Sequence, residues 1–270
     1  EVSSSFRQRT NSNHTATHLL QSALKLLIDS SVSQRGSLVA FDRLRFDFNS
    51  PKGLTSHELQ KMEAQINQWI IEDHPIQIKT MPIKEALAAG ALAMFGEKYG
   101  EIVRVVDVPG VSMELCGGTH VTRTSQLGTF KIINELGIAS GIRRIEALAG
   151  PSVLDYLNER DVVVHQLSQL FKVQSHEVFE RVSSLQLELK EKTKDLLKVK
   201  NELALAKALG LASYSQSVGN SQLLVRRLDG VDGSGLQSSA SSLIDHLGKS
   251  SAVVLGGIPN QEIDNKLIFV

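Results

Sequence analysis

Apolar residues near the start of the chain repeat at helical spacing and then at strand spacing. The helical stripe comprises Leu19, Leu20, Ala23, Leu24 and Leu27. It follows a polar stretch, so we expect a loose lead-in over residues 1–12 and a helix that has Asn13 as its N-cap. A turn over 34–37 should then lead into two strands, at 38–41 and 44–48.

The rest of the first half adds one long helix and several β-branched segments. Thr55 should cap the helix with Glu58 as its capping-box partner, and Pro75 should end it. A strand at 76–78 and a shorter helix at 83–93 should follow. The later segments are a loop at 95–100 and strands at 102–108, 128–135 and 142–148. This mixture predicts an α+β fold, in which helices pack on an antiparallel sheet in two layers.

The second half is dominated by helical periodicity. Pro151 favours the first turn of a helix, and only the neighbourhood of 172–175 interrupts the pattern before residue 209. Two helices with a short link predict an antiparallel hairpin. Positions with coiled-coil spacing are Val178, Val182, Leu185, Leu189, Lys192, Leu196, Val199 and Leu203. The same stripe is also typical of one packed face of a helical bundle.

After residue 209 the composition shifts to Gly and Ser. Strands are expected at 223–225, 252–255 and 267–270, with a helix at 236–247 and a turn over 256–265. This pattern predicts a small, partial α/β unit. We therefore expect three domains, over residues 1–149, 150–209 and 210–270.

Composition and charge limit the possible functions. The 270 residues carry 29 Lys and Arg against 29 Asp and Glu, so binding of nucleic acid must use local patches. The single cysteine excludes an internal disulfide and is typical of a reducing compartment. No apolar run reaches membrane-spanning length, and we expect no signal peptide before the first helix.

Two pairs of metal-binding residue types stand out. His14 and His18 are four residues apart, so both imidazoles lie on one face of the predicted helix. Cys116 and His120 flank a Gly-Gly turn. Together they form a nitrogen and sulfur set of the kind that zinc prefers. Thr15 follows His14 where a zinc protease motif has Glu, which excludes that class of protease.

These motifs and four others resemble the editing domain of alanyl-tRNA synthetases. In chain order they are Asn13-His14-Thr15-Ala16-Thr17-His18-Leu19-Leu20, Val32-Ser33-Gln34-Arg35-Gly36-Ser37-Leu38-Val39, Leu44-Arg45-Phe46-Asp47-Phe48, Phe95-Gly96-Glu97-Lys98-Tyr99, Glu114-Leu115-Cys116-Gly117-Gly118-Thr119-His120 and Gly141-Ile142-Arg143-Arg144-Ile145-Glu146. The threonyl-tRNA synthetase editing domain shares both metal pairs, but it typically has Arg and Pro where this chain has Gly117 and Thr119. The second half resembles the coiled coil and the beginning of the C-terminal domain of alanyl-tRNA synthetases.

The resemblance implies an enzyme that hydrolyses the ester of tRNA(Ala) mischarged with serine or glycine. It implies one Zn²⁺ per chain and tRNA(Ala) as partner. It also implies a cytoplasmic or organellar protein that does not bind a membrane, with possible homodimers through the C-terminal part. The whole synthetase would ligate alanine to tRNA(Ala) with ATP, although no activation motif occurs in this chain. Two alternatives are a free-standing editing hydrolase and an RNA-binding module with a structural zinc.

The resemblance also assigns site residues. The metal ligands would be His14, His18, Cys116 and His120. Gln34 would read the serine hydroxyl, and Thr15 and Cys116 would join it in the catalytic set. Weaker candidates for substrate or tRNA contacts are Thr17, Thr119, Arg45, Lys98, Arg143 and Arg144. Arg143 and Arg144 are consecutive on a predicted strand, so they should point to opposite faces.

Overall fold

The computed structural model describes residues 3–93, 99–259 and 267–270. The chain divides into two compact units, Glu1–His165 and Gln166–Val270. In the described part, every helix is too short or too polar to cross a lipid bilayer.

The first unit contains two antiparallel sheets and their covering helices. Its helices are α1 (Ser4–Leu27), α2 (Ser56–Ile71), α3 (Ile83–Ala88) and most of α4 (Pro151–Phe171). Its strands are β1 (Gln34–Val39), β2 (Leu44–Asn49), β3 (Gln77–Pro82), β4 (Ile102–Val108), β5 (Ser112–Leu115), β6 (Phe130–Ala139) and β7 (Ile142–Ala149).

The larger sheet has the strand order β1-β2-β7-β6, and α1 and α2 pack on one of its faces. Phe46 on β2 pairs with Ile145 on β7, and both side chains are fully buried. Leu20 of α1 and Ile66 of α2 are buried in the same core. Burial of each such side chain contributes about 1.5–3 kcal/mol, so this core fixes α1 firmly against the sheet.

The smaller sheet has the order β3-β4-β5 and packs against α3 through Ala86, Val105 and Leu115. Leu92 continues this sheet beyond β5. Its N–H donates to the Met113 carbonyl at 2.8 Å, and its carbonyl accepts from the Leu115 N–H at 2.9 Å. The backbone of β5 is therefore held on both sides.

The second unit contains the end of α4 and a small α/β layer. Its other elements are α5 (Val178–Gly210), α6 (Gly233–Leu247), β8 (Gln216–Val218), β9 (Ser221–Arg227), β10 (Ser251–Gly257) and β11 (Ile268–Phe269). The sheet order is β11-β10-β9-β8, and β9 and β10 run parallel on either side of α6 in the sequence. Leu224, Leu236 and Leu255 are fully buried in its core.

These elements confirm the predicted α+β fold with a helical part. The capping box of α2 is present, because the Thr55 hydroxyl accepts from the Glu58 N–H at 3.2 Å while Glu58 accepts from the Thr55 N–H at 2.7 Å. The link between α4 and α5 also lies where the sequence predicts it, and Lys172 has a left-handed φ of 54° there. The division into three domains stays a prediction.

Two expectations near the start of the chain are wrong. Helix α1 begins at Ser4, so residues 4–12 are helical and Asn13 lies inside the helix instead of capping it. The first two turns are mostly exposed and polar, which hides their helical period. Residues 34–37 belong to β1 and form no turn, because Gly36 pairs with Asp47 and Ser37 with Phe46. The chain reverses instead after Val39, where the Ala40 N–H donates to the Arg43 carbonyl.

Other boundaries differ from the sequence expectation. Helix α3 ends at Ala88 instead of residue 93, because Gly90 turns the chain with a φ of 93°. Strand β5 is absent from the sequence expectation, since two of its four residues are polar. Of the expected loop over residues 95–100, the structure describes only residues 99 and 100. At the expected turn over 256–265, Gly256 and Gly257 are part of strand β10 instead.

Candidate metal centre

Helix α1 provides two imidazoles from one face. His14 and His18 are one turn apart, and their ring centroids lie 5.3 Å from each other. His18 is 5% exposed, whereas His14 is partly exposed. The apolar face of α1 is buried against the larger sheet, so the helix cannot rotate these rings away from the loop opposite them.

The other two donors lie in the loop that follows β5. The Cys116 N–H donates to the Arg104 carbonyl at 3.1 Å, which continues the β4–β5 ladder by one bond. The Arg104 guanidinium then reaches over the loop and donates from one nitrogen to the Cys116 carbonyl at 2.6 Å and to the Gly118 carbonyl at 2.7 Å. These bonds hold the turn that brings Cys116 and His120 to the same side.

The four predicted ligands converge. Their donor atoms all lie within 4.8 Å of one another. The Cys116 Sγ is 3.5 Å from His14 Nε2 and 3.3 Å from His120 Nε2. Ligands about 2.0–2.3 Å from a tetrahedral zinc are about 3.3–3.8 Å apart, so the two sulfur–nitrogen distances and the donor types fit one zinc ion.

Two of the imidazoles are oriented by hydrogen bonds on their outer side. The Nδ1 atom of His120 lies 3.1 Å from the hydroxyl of Thr15, which also accepts from the Val121 N–H at 3.3 Å. His14 bonds to the backbone of Thr119. Such partners fix the tautomer and the ring plane of a metal-bound histidine.

Burial keeps all three imidazoles neutral, which is the form that binds a metal. Burial is the main reason that the pKa of His14 is lowered. It is also the main reason that the pKa of His18 lies well below its usual value. Burial, followed by the charges of His14 and Arg104, lowers the pKa of His120 to about 3.

A buried carboxylate lies beside this cluster. The Glu114 Oε2 atom is 3.6 Å from His18 Nδ1, and its side chain is 8% exposed. Burial raises the pKa of Glu114 to about 8, although a hydrogen bond from Ser112 acts in the opposite direction.

Glu114 also lines a cavity of about 180 Å³ together with Gln34. The other lining residues are Gln21, Lys25, Ser33, Leu92 and Ala93. Gln34 is half-buried, and its amide nitrogen donates to the Ser37 hydroxyl at 3.3 Å. Because Glu114 contacts both the cavity and His18, the cavity adjoins the metal cluster.

The hydroxyls of the metal motifs differ in their surroundings. Thr15 is buried and bonded to His120. Thr17 is buried and donates to the Asn13 carbonyl one turn earlier on α1 at 2.9 Å. Thr119 is exposed at the rim of the loop. Of the three, Thr119 has the side chain that is accessible to a substrate.

The predicted arginines contact carboxylates of the larger sheet. Arg143 donates two bonds to Glu135, at 2.6 and 2.7 Å, and Arg144 donates two to Asp47, at 2.7 and 2.8 Å. Arg45 lies 3.8 Å from the same Asp47 carboxylate. Their role in tRNA binding stays a prediction, and Lys98 lies outside the described residues.

Sequence reasoning gives no role to Arg104 or Glu114. Glu114 is part of a motif quoted above, but its contact with His18 arises only when β5 lies beside α1. Arg104 is an ordinary polar position in an apolar strand. The only signal for Arg104 is its position as a charged residue within the predicted strand 102–108, because a charged residue is rarely buried without a partner.

Comparison with known families supports the motif assignment. Residues 103–146 match the model of the "Threonyl and Alanyl tRNA synthetase second additional domain". The matched segment contains Cys116, His120 and both residues missed by the sequence reasoning, but it excludes α1.

Similarity to individual proteins extends along the whole chain. The chain is 84% identical over 269 residues to an alanine–tRNA ligase of Prochlorococcus marinus (strain NATL1A), covering 100% of this chain and 30% of the relative. It is 60% identical over 270 residues to the alanine–tRNA ligase of Synechococcus sp. (strain RCC307), covering 100% of this chain and 31% of that relative. The chain thus spans about 30% of the length of these curated relatives, and the resemblance predicted from its motifs is confirmed.

Proposed function

We propose that this chain, which resembles alanine–tRNA ligases along its whole length, is the editing portion of such a ligase. It hydrolyses the ester bond in tRNA(Ala) that carries serine or glycine. The whole protein would then ligate alanine to tRNA(Ala) with ATP, and the cytoplasmic location expected from the sequence stays a prediction. The observation that carries the proposal is the convergence of three imidazoles and one thiol beside a small cavity that Gln34 and Glu114 line.

The physical need for such a reaction is clear. A site that binds alanine cannot strongly exclude glycine, which is smaller, and it rejects an added hydroxyl by only about 10²-fold in comparable cases. A second site that hydrolyses the wrong product corrects the error. This site must recognise serine or glycine and spare alanine.

His14, His18, Cys116 and His120 would hold the zinc, which when bound can polarise the ester carbonyl or lower the pKa of a water. Thr15 holds the His120 ring in place. The partly exposed sides of His14 and Cys116 leave an approach to the cluster, through which the tRNA 3′ end would enter. Gln34 would accept and donate hydrogen bonds to the serine hydroxyl from the wall of the cavity.

One observation favours a second candidate function. Four protein ligands are typical of a closed, structural zinc site, whereas catalytic sites usually keep a position open. Under this alternative the chain is an RNA-binding module whose zinc only stabilises the fold. A free-standing editing hydrolase is the third possibility, and the greater length of the relatives supports a part of a synthetase instead.

Deacylation assays distinguish the first two functions. The zinc-loaded chain should release serine and glycine from mischarged tRNA(Ala) and leave alanyl-tRNA(Ala) largely intact. A chain that binds tRNA(Ala) and a full equivalent of zinc but hydrolyses none of the three substrates would support the binding module and contradict the proposal.

Gln34 provides the test of selectivity. We expect Gln34→Ala to change the ratio of seryl to alanyl hydrolysis by about 5- to 100-fold, because one buried hydrogen bond is worth about 1–3 kcal/mol when it is removed. Gln21→Ala removes the other amide of the cavity wall and is the matched control. An unchanged ratio in Gln34→Ala, or an equal change in both variants, would show that Gln34 does not read the hydroxyl.

A further inference from the structure

Among the three imidazoles of the cluster, His18 differs in the surroundings of its outer nitrogen. His14 and His120 bond to Thr119 and Thr15 on that side, as described above. The Nδ1 atom of His18 is buried and has no hydrogen-bond partner within the described part of the chain. An unpaired buried polar atom costs about 1–3 kcal/mol, so an acceptor for this nitrogen would stabilise the site.

The nearest acidic group to this nitrogen is the Glu114 carboxylate. Its Oε2 atom lies 3.6 Å from His18 Nδ1, a few tenths of an ångström beyond a good hydrogen bond. Its other oxygen, Oε1, accepts from the Ser112 hydroxyl at 3.1 Å, so Oε2 is the atom that faces the imidazole. The Glu114 side chain therefore needs only a small shift for Oε2 to accept a hydrogen bond from the Nδ1–H group of His18.

The backbone keeps Glu114 in this position. Bonds from Leu92 to both neighbours of Glu114 hold β5 on one side, and the β4 ladder holds it on the other. Its side chain cannot swing to solvent, because it is 8% exposed and packed beside α1. The strand thus presents an acceptor to His18 from the side opposite to the metal-facing atoms.

We propose that Glu114 is a positioning residue of the metal centre, which accepts the Nδ1–H bond of His18 and thereby directs the Nε2 atom of His18 to the zinc. This inference rests on the proposed metal site and extends it beyond the four ligands. Each imidazole then has an outer partner: the backbone of Thr119 for His14, Glu114 for His18 and Thr15 for His120. Loss of such a partner typically weakens metal affinity about 10- to 100-fold.

The test measures zinc affinity of the full chain by competition with a chromophoric chelator. Glu114→Ala should weaken zinc binding about 10- to 100-fold, whereas Glu114→Gln, whose amide oxygen can still accept from His18, should recover most of this loss. Asp107→Ala is the matched control. It removes a buried carboxylate from the same sheet, which pairs with Lys79 at 2.8 Å, and should leave zinc affinity unchanged.

A spectroscopic measurement decides the matter if Glu114→Ala fails to fold. In the zinc-loaded wild-type chain, ¹⁵N spectra of the histidine rings should show that His18 carries its proton on Nδ1 and binds zinc through Nε2. Zinc bound through Nδ1 of His18 would overturn the proposal. Equal zinc affinities of Glu114→Ala and Asp107→Ala would also overturn it. In that case, a loss of seryl-tRNA hydrolysis in Glu114→Ala alone would assign Glu114 to substrate and leave the proposed editing function standing.

Discussion

At the scale of single residues, the metal centre depends on the missing side chain of Gly118. A Cβ atom at this position would lie 2.0 Å from Cε1 and 2.5 Å from Nδ1 of His14. At the neighbouring Gly117, a Cβ atom would meet no atom of the described residues within 4 Å. Neither glycine has a positive φ, so the contact with His14, and not the backbone conformation, restricts position 118.

Gly118→Ala should therefore displace His14 and weaken zinc binding by at least about 10-fold, as expected when one ligand is misplaced. Gly117→Ala should bind zinc like the wild type, since its methyl group meets no described atom within 4 Å. Isothermal titration of each purified variant with zinc checks both expectations. Similar affinities for the two variants would mean that His14 is not held in the position described.

The convergence of the four candidate ligands could be predicted from the sequence, because their spacing carries the signal. His14 and His18 share a helix face whatever else the chain does, and Cys116 and His120 share a tight turn. Arg104 and Glu114 could not be predicted in the same way, because their roles arise from the pairing of β4 with β5 and from the packing of β5 beside α1.

At the scale of elements, one buried polar side chain forms hydrogen bonds between α1 and two parts of the larger sheet. The Asn13 amide nitrogen donates to the Ala40 carbonyl at 2.8 Å, and its oxygen accepts from the Ala149 N–H at 3.0 Å. Asn13 thus connects α1, which carries His14 and His18, to the β1–β2 turn and to the end of β7. The Asn13 side chain and its bond to Ala149 are fully buried, whereas its bond to Ala40 is partly buried.

Asn13→Ala should lower the free energy of unfolding by about 2–4 kcal/mol, because it leaves the buried Ala149 N–H and the partly buried Ala40 carbonyl without their partner. Asn158→Ala, on the exposed face of α4, is the control and should change stability by less than about 0.5 kcal/mol. Urea denaturation of the two variants and the wild type measures the difference. Equal midpoints for Asn13→Ala and wild type would contradict this role.

The same residue shows where sequence reasoning failed at this scale. A polar residue just before an apolar helical stripe is typical of an N-cap, and Asn13 fits that description. Its actual role depends on hydrogen bonds to residues 27 and 136 positions away in the sequence. The local sequence pattern carries no information about such distant partners. Capping at Thr55 could be predicted, because both partners of that capping box lie within three residues.

At the scale of the whole molecule, acidic and basic residues are equal in number, so the proposed tRNA binding would depend on local positive patches. In the second unit, Lys190, Lys192 and Lys194 are exposed on α5. Acidic residues alternate with them, among them Glu191. We expect this part of the chain to supply sequence-independent affinity, while the first unit supplies the chemistry.

Replacing these three lysines with Gln should weaken tRNA(Ala) binding and reduce its dependence on salt. Each tRNA phosphate that a lysine no longer neutralises lowers the slope of log K against log salt by about 0.7–0.9. Glu191→Gln should act in the opposite direction and raise affinity. Binding measured across a salt series tests this, and identical slopes for the triple variant and wild type would place the tRNA-binding surface elsewhere. Zinc content should be the same in all of them.

The central claim is that the cluster of His14, His18, Cys116 and His120 holds one zinc on which hydrolysis depends. The most direct measurement is the rate of seryl-tRNA(Ala) hydrolysis by the chelator-stripped chain as zinc is added back. We predict that the rate rises in proportion to zinc and reaches its plateau at one equivalent per chain, while Cys116→Ala stays inactive throughout. Full activity of the stripped chain, or of Cys116→Ala, would contradict the account.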